Sequence, residues 1–156
     1  MILVTVGTTM PFDELLEEVD RLSAQDFFGD EVVCQIGHSQ YVPHHCTVFR
    51  NKPNLERDFL LADGLIVHGG TGSTIQAIGA EKPFVAVANL RAKGDHQAEF
   101  LGHLATEFDI LWTRDPGALS RLWEAALRKS WRHGGESEQS RQLTRNILAL
   151  ARATAG

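Results

Sequence analysis

Cysteine is scarce in this chain. Only Cys34 and Cys46 occur among 156 residues, too few and too loosely spaced for a disulfide framework. Both are expected to remain thiols in a reducing compartment. A basic excess is missing as well: 15 Lys and Arg stand against 20 Asp and Glu, a net charge of −5. That balance argues against a general nucleic-acid binder. It leaves room for a small anionic ligand, because a few backbone amides hold a phosphate without net positive charge. No apolar run approaches the roughly 20 residues that a membrane-spanning helix needs. The opening Met1–Gly7 is apolar but short and has no basic lead-in, so it reads as a first buried strand and not as a signal peptide. A soluble, cytoplasmic chain is expected. Apolar residues make up 43%, enough for one domain over residues 1–156 with its own core.

What is present is an alternation of strand-like and helix-like segments. Ile2 to Val6 is a continuous apolar run closed by Gly7-Thr8-Thr9, the pattern of a strand buried on both faces. Phe12, Leu15, Leu16, Val19 and Leu22 follow at helical spacing. Further strands are expected at Val32 to Ile36, Thr47 to Arg50, Leu65 to Val67, Phe84 to Ala88 and near Ile110-Leu111-Trp112. Asn54 is positioned to cap a short helix through Leu61, with Leu55, Phe59 and Leu60 inward. Ser73 to Ala80, Asp95 to Leu104 and Ala118 to Leu127 read as helices. After a break at His133-Gly134-Gly135, residues 136–153 carry an apolar stripe of Leu143, Ile147, Leu150 and Ala151. That stripe suits a helix packed on its own sheet or docked on a partner. The expected fold is α/β: a single Rossmann-like domain, an open parallel sheet with helices on both faces. Ligands on such sheets sit at the carboxyl ends of the strands. Gly7 to Met10, Gly37 to Tyr41, His68 to Ser73 and Asn89 to Gln97 should therefore share one rim.

The densest chemical signal is Leu65-Ile66-Val67-His68-Gly69-Gly70-Thr71-Gly72-Ser73-Thr74. A buried strand enters three glycines within four positions and a helix begins. Glycine lets backbone approach a ligand closely, and the helix start offers unpaired N–H groups with a partial positive charge. Ser73 can cap the helix or bind a phosphate oxygen, and His68 can donate to the same anion. A tight turn with a simple cap would look alike. The Walker pattern fails for want of a following Gly-Lys-Ser/Thr, and the dinucleotide fingerprint fails because Ile75 occupies the place of its third glycine. A second cluster, Asp95-His96-Gln97, opens a helix and can read sugar hydroxyls, or serve as a cap with two solvated neighbours. His44-His45-Cys46 lacks the spacing of a zinc site, and no metal is expected. Asp13 and Glu14 read as a solvated first turn, and the three tryptophans as packing.

Three ordered stretches carry a family resemblance: Val4 to Thr9 with Phe12-Asp13-Glu14-Leu15, Ala62-Asp63 through Ser73 to Lys82-Pro83, and Asp95-His96-Gln97. Together they make the chain resemble the carboxyl-terminal, donor-binding half of GT-B glycosyltransferases of family 28. The resemblance extends to the stand-alone catalytic subunits of two-component enzymes, including a dolichol-pyrophosphate N-acetylglucosaminyltransferase and bacterial exopolysaccharide counterparts. It implies a UDP-sugar donor, with UDP-N-acetylglucosamine favoured, and inverting transfer to a polyprenyl-diphosphate-linked glycan. It also implies a separate membrane-associated subunit that holds the acceptor and keeps the chain peripheral to the membrane, with residues 136–153 as the docking element.

Residue by residue, the resemblance assigns Gly7, Thr8, Gly70, Thr71 and Gly72 to the donor diphosphate, with His68 and Ser73 stabilising the leaving group. It assigns Asp95, His96 and Gln97 to the sugar. Gln76 stands where many relatives have a ribose-binding glutamate, so the charge-assisted hydrogen bond is lost there. No cofactor is implied. The general base is expected from the acceptor side, with His38 as an in-chain alternative. Arg91 or Lys93 is placed to pair with a uronate carboxylate. A non-catalytic nucleotide-binding or regulatory subunit would share the whole phosphate cradle and lack only the chemistry.

Overall fold

The computed structural model describes residues 1–91 and 95–131, together with Arg145. Its elements run β1 (Ile2–Thr5), α1 (Asp13–Ala24), β2 (Val32–Gln35), β3 (Thr47–Phe49), α2 (Glu56–Leu61), β4 (Gly64–His68), α3 (Thr71–Gly79), β5 (Phe84–Val87), α4 (His96–Leu104), β6 (Trp112–Thr113), a 3-10 turn (Pro116–Ala118) and α5 (Leu119–Arg128). The sheet has six strands in the order β3-β2-β1-β4-β5-β6. All five pairings are parallel. This is the α/β Rossmann-like sheet that the alternation of apolar runs predicts.

Continuous hydrophobicity explains the central strands. Each residue of β1 and β5 is buried, and Leu3, Val4, Leu65, Ile66 and Val85 are 0% exposed. Burying one such side chain contributes about 1.5–3 kcal/mol, so the centre of the sheet is the most strongly specified part of the fold. From β1 the chain steps outward through β2 and β3, then returns to pair β4 on the other side of β1. Right-handed crossovers put α1 on one face and α3 and α4 on the other. The reversal of direction opens a crevice above the carboxyl ends of β1 and β4, where doubly wound sheets take their ligands.

Several boundaries differ from the sequence expectation, each for a local reason. The helix after the glycine turn starts at Thr71, not Ser73, because Gly70 adopts an extended ψ of 143° and is itself the cap residue. Asn54 does act at the start of α2, its Oδ1 accepting from the Glu56 N–H at 2.7 Å, but Leu55 holds the cap position. Phe59 is buried there and Leu55 packs against the core, whereas Leu60, expected inward, is 74% exposed. The last strand lies two residues later, at Trp112–Thr113. The expected helix over 136–153 falls outside the described residues apart from Arg145. Among the described residues no helix is long and apolar enough to cross a membrane.

Candidate functional site

The crevice is built from the ends of β1 and β4. Gly7 closes β1 with φ +84°, a left-handed conformation that only glycine takes without strain. His68 closes β4, and its ring lies between Gly7 and Gly70. A Cβ on Gly7 would stand 2.7 Å from His68 Nε2, and a Cβ on Gly70 would collide with the same nitrogen. Both glycines are therefore required by close approach to His68, and the three residues form one unit at the point where the strand order reverses.

Burial sets the charge of that unit. It pushes the His68 pKa down to about 4, against a smaller upward pull from the Thr5 carbonyl, so the ring is neutral near pH 7. Its Nδ1 is buried without a hydrogen bond of ordinary geometry. A neutral imidazole donates from one nitrogen only, and here it acts as a dipole, not a cation.

Beside it, α3 begins without any side-chain cap. Thr74 spends both its N–H (3.1 Å) and its Oγ1 (2.8 Å) on the Gly70 carbonyl. The first-turn amides of Thr71, Gly72 and Ser73 thus keep the orphan status of any helix start. Ser73 does not cap the helix, and its hydroxyl makes no hydrogen bond among the described residues. Gly72 is exposed, with no heavy atom within 4 Å of where a Cβ would sit. Nothing in the fold requires glycine there.

The third wall is the start of α4. Gln97 lies against Gly69, and its Oε1 accepts from the Asn89 N–H at 2.8 Å. It joins the loop after β5 to the glycine turn and has only its amide nitrogen free for a ligand. Asn89, a residue without a sequence signal, is 2% exposed and donates from Nδ2 to the Pro11 carbonyl at 3.0 Å. Asp95 holds the cap position of α4, but its carboxylate pairs with Arg114 at 3.1 Å instead of capping the helix. His96 is exposed.

Other predicted residues lie farther out. Thr8 is exposed on the loop after Gly7, and His38 is exposed beyond the end of β2. Gln76 is exposed and lines a cavity of about 240 Å³ between α2 and α3 with Glu56, Phe59 and Leu60. It stands five residues past Thr71, about 7.5 Å along the helix axis. Arg91, considered for a uronate, pairs with Glu14 at 2.7 Å. Lys93 lies outside the described residues. His44 and His45 serve the buried Asp20: both donate backbone N–H groups, and His45 Nδ1 lies 3.1 Å from its carboxylate. Among the described residues no group of three or more His, Cys, Asp or Glu side chains is arranged to hold a metal ion.

Comparison with known proteins bears on the family and the fold. Residues 1–127 match the family described as the glycosyltransferase family 28 C-terminal domain. The UDP-N-acetylglucosamine transferase subunit ALG13 of Homo sapiens is 34% identical over 122 residues, covering 71% of this chain and 11% of the human protein. The same subunit of Yarrowia lipolytica is 29% identical over 128 residues, covering 74% of this chain and 65% of that protein. The chain thus spans only about a tenth of the human relative's length. Among solved structures, MurG of Acinetobacter baumannii superposes with a TM-score of 0.56 at 18% identity, over 94% of this chain and 49% of that one. An NMR structure of ALG13 gives 0.52 at 18% identity, over 82% and 83%. At such identities the superpositions show the fold alone. With 127 of its 156 residues matched, the chain belongs to the glycosyltransferase family 28 C-terminal domain family.

Proposed function

We propose that this chain binds the nucleotide-sugar donor for a two-component inverting glycosyltransferase whose acceptor site is supplied by a separate membrane-associated subunit. The donor is a UDP-sugar, UDP-N-acetylglucosamine by preference, and the acceptor a polyprenyl-diphosphate-linked glycan. The observation that carries the proposal is the uncapped first turn of α3, with Gly70, Thr71, Gly72 and Ser73, facing the Gly7–His68 unit. The relatives named as UDP-N-acetylglucosamine transferase subunits support the donor class. The domain would work in the cytoplasm, held at the membrane by its partner.

In this scheme the diphosphate sits on the amides of Thr71, Gly72 and Ser73 and against Gly7 and Thr8. Charge grows on the β-phosphate as the sugar–oxygen bond breaks. The Ser73 hydroxyl, the amides and a His68 N–H then strengthen their hydrogen bonds to the departing UDP. Removing one donor of this type costs about 2.7–4 kcal/mol in a transition state. Gln76 lies along the same helix at a spacing suited to the ribose hydroxyls, while Asp95, His96 and Gln97 face the sugar. The base that deprotonates the acceptor comes from the partner, or from His38 within this chain.

Calorimetric titration with UDP, ADP and a panel of UDP-sugars, repeated with Ser73→Ala, tests the proposal. Selective UDP binding, weakened by the substitution, is expected. Preference for ADP, or indifference to Ser73, would refute it. Sugar turnover with the co-expressed partner then separates a catalytic subunit from a binding one.

A further inference from the structure

The residue that controls the shape of the first loop is a buried amide at the end of β2. Gln35 is 2% exposed. Its Oε1 accepts from the backbone N–H groups of Val6 and Gly7, both at 3.2 Å. The two hydrogens of its Nε2 are shared among the Gly7 carbonyl at 3.0 Å, the Arg50 carbonyl at 3.0 Å and Asn51 Oδ1 at 3.2 Å. One side chain therefore grips the N–H and the C=O of the same glycine, 28 residues away in sequence, at the position where φ turns to +84°. The N–H belongs to the Val6–Gly7 peptide and the C=O to the Gly7–Thr8 peptide, so both planes that flank Gly7 are held, and the Thr8 amide, coplanar with the Gly7 carbonyl, is directed with it.

The surrounding contacts extend the same hold. Gly37, with φ +54°, lies so close that a Cβ there would collide with the Gly7 carbonyl oxygen. Arg50 donates from one guanidinium nitrogen to the Gly37 and Ser39 carbonyls, at 2.9 and 3.0 Å. The Ser39 hydroxyl accepts from the Phe12 N–H at 3.0 Å, closing the far end of the loop. Residues 7–12 are thus bracketed by the ends of β2 and β3, with Gln35 as the group that touches β1, Gly7 and β3's exit at once.

We infer that Gln35 is a positioning residue: it holds the Gly7–Thr8 peptide in its anion-facing orientation and so sets the affinity of the crevice for a diphosphate. The inference rests on the proposed donor site. The chemistry at this position calls for a carboxamide. An ionised carboxylate accepts from the two amides but faces the Gly7 and Arg50 carbonyls with like partial charge. An apolar isostere leaves buried polar groups without partners.

The test uses the full chain with Gln35→Met and Gln35→Glu, titrated with UDP at a temperature where circular dichroism shows each folded. Backbone hydrogen exchange at Val6 and Gly7 is measured in parallel. Gln35→Met should bind UDP at least about tenfold more weakly and lose protection at Gly7, and less at Val6, which also donates to the Gln35 main-chain carbonyl at 3.3 Å. Gln35→Glu should approach wild-type affinity at acid pH and fall behind it as the pH rises, because only the protonated acid donates to the Gly7 carbonyl. A purely structural role would lower the melting temperature without this pH-dependent affinity ratio.

Near-wild-type UDP affinity in folded Gln35→Met, or unchanged protection of Gly7, overturns the inference. If Gln35→Met does not fold, Gln35→Glu decides alone, and a ratio to wild type that ignores pH overturns it. If the wild type itself ignores UDP, the donor proposal fails separately, and the amide protection alone decides whether Gln35 sets the loop.

Discussion

Replacing Gly72 by alanine separates what the fold needs from what a ligand needs. Gly72 is the second residue of α3, is exposed, and has open space around the position of a Cβ. Glycine within a helix costs about 0.5–1 kcal/mol relative to alanine, so Gly72→Ala should stabilise the free protein by up to that amount. For a domain of this size, that is an increase of roughly 1–4 °C in melting temperature. The same methyl would stand on the surface from which the first-turn amides project, where the proposed diphosphate needs the backbone at contact distance. UDP affinity should fall by about tenfold or more, the equivalent of about 1.4 kcal/mol.

Gly70→Ala is the matched control. Its Cβ would collide with His68 Nε2 and lie 2.9 Å from Cδ2. The ring must move, at a cost typical of overpacking, about 1–3 kcal/mol. Urea denaturation and UDP calorimetry on both variants are the assays. A Gly72→Ala protein that keeps wild-type UDP affinity would remove the first turn of α3 from the site. An undisturbed Gly70→Ala protein would show that His68 does not fill the space between the two loops.

Two titrations address the buried ionisable groups. Asp20 is 4% exposed; burial pushes its pKa up, but the Tyr41 hydroxyl, the His44 and His45 amides and the His45 ring outweigh that and bring it to about 2. The lowered value means its stabilisation is complete above pH 3.8 and lost as pH falls through 2, and Asp20→Asn should cost about 2 kcal/mol in urea denaturation at pH 7. Tyr41 is the sole tyrosine, and its bond to Asp20 raises its pKa to about 12; an ultraviolet titration should show that value fall towards 10 in Asp20→Asn, and an unchanged value would refute the pairing. His68, with a folded pKa of about 4 against 6.5, contributes stability that is present above pH 6.5 and lost as pH drops towards 4. Wild type should lose about 2 kcal/mol between pH 7 and pH 5 through this group, a loss that His68→Gln abolishes.

The parts of this molecule that sequence discloses are those set by local pattern. β1, β4 and β5 announce themselves as unbroken apolar runs, and the glycine turn is visible because three glycines between a strand and a helix have few other uses. What stays hidden depends on partners distant in the chain. Gln35 sits in an apolar strand and looks like an ordinary polar interruption; only the β1–β2 register, Thr5 beside Gln35, brings it under Gly7. Asp20 lies on a helix full of acidic residues, and nothing local marks it as the one that is buried against 41–45, or Asp13 as the one that accepts from the Gln40 and Tyr41 amides. Arg114 meets Asp95, and Asn89 meets Gln97 and Pro11, through loops whose approach the sheet order dictates. The outward turn of Leu60 has another cause: α2 is six residues long, less than two turns, and so short a periodicity does not define a face.

Among the described residues no cationic side chain hydrogen-bonds the Gly7–His68 unit or the first turn of α3, Arg50 being turned to the Gly37 and Ser39 carbonyls, and that has a measurable consequence. His68 is neutral, Arg91 is matched by Glu14, Arg114 by Asp95, and the chain as a whole carries −5. The proposal therefore draws affinity for a diphosphate from amide dipoles and hydroxyls at short range, not from ion pairing at the rim. Dipoles at contact distance are little affected by mobile ions, whereas exposed charges are screened over a Debye length of about 10 Å at 0.1 M salt. Raising salt from about 0.05 to 0.5 M should therefore leave UDP affinity unchanged or slightly improved, since screening also weakens repulsion between the acidic chain and its ligand. A steep loss of affinity with salt would mean that cationic side chains bind the phosphates, and the amide cradle on α3 would lose its central role.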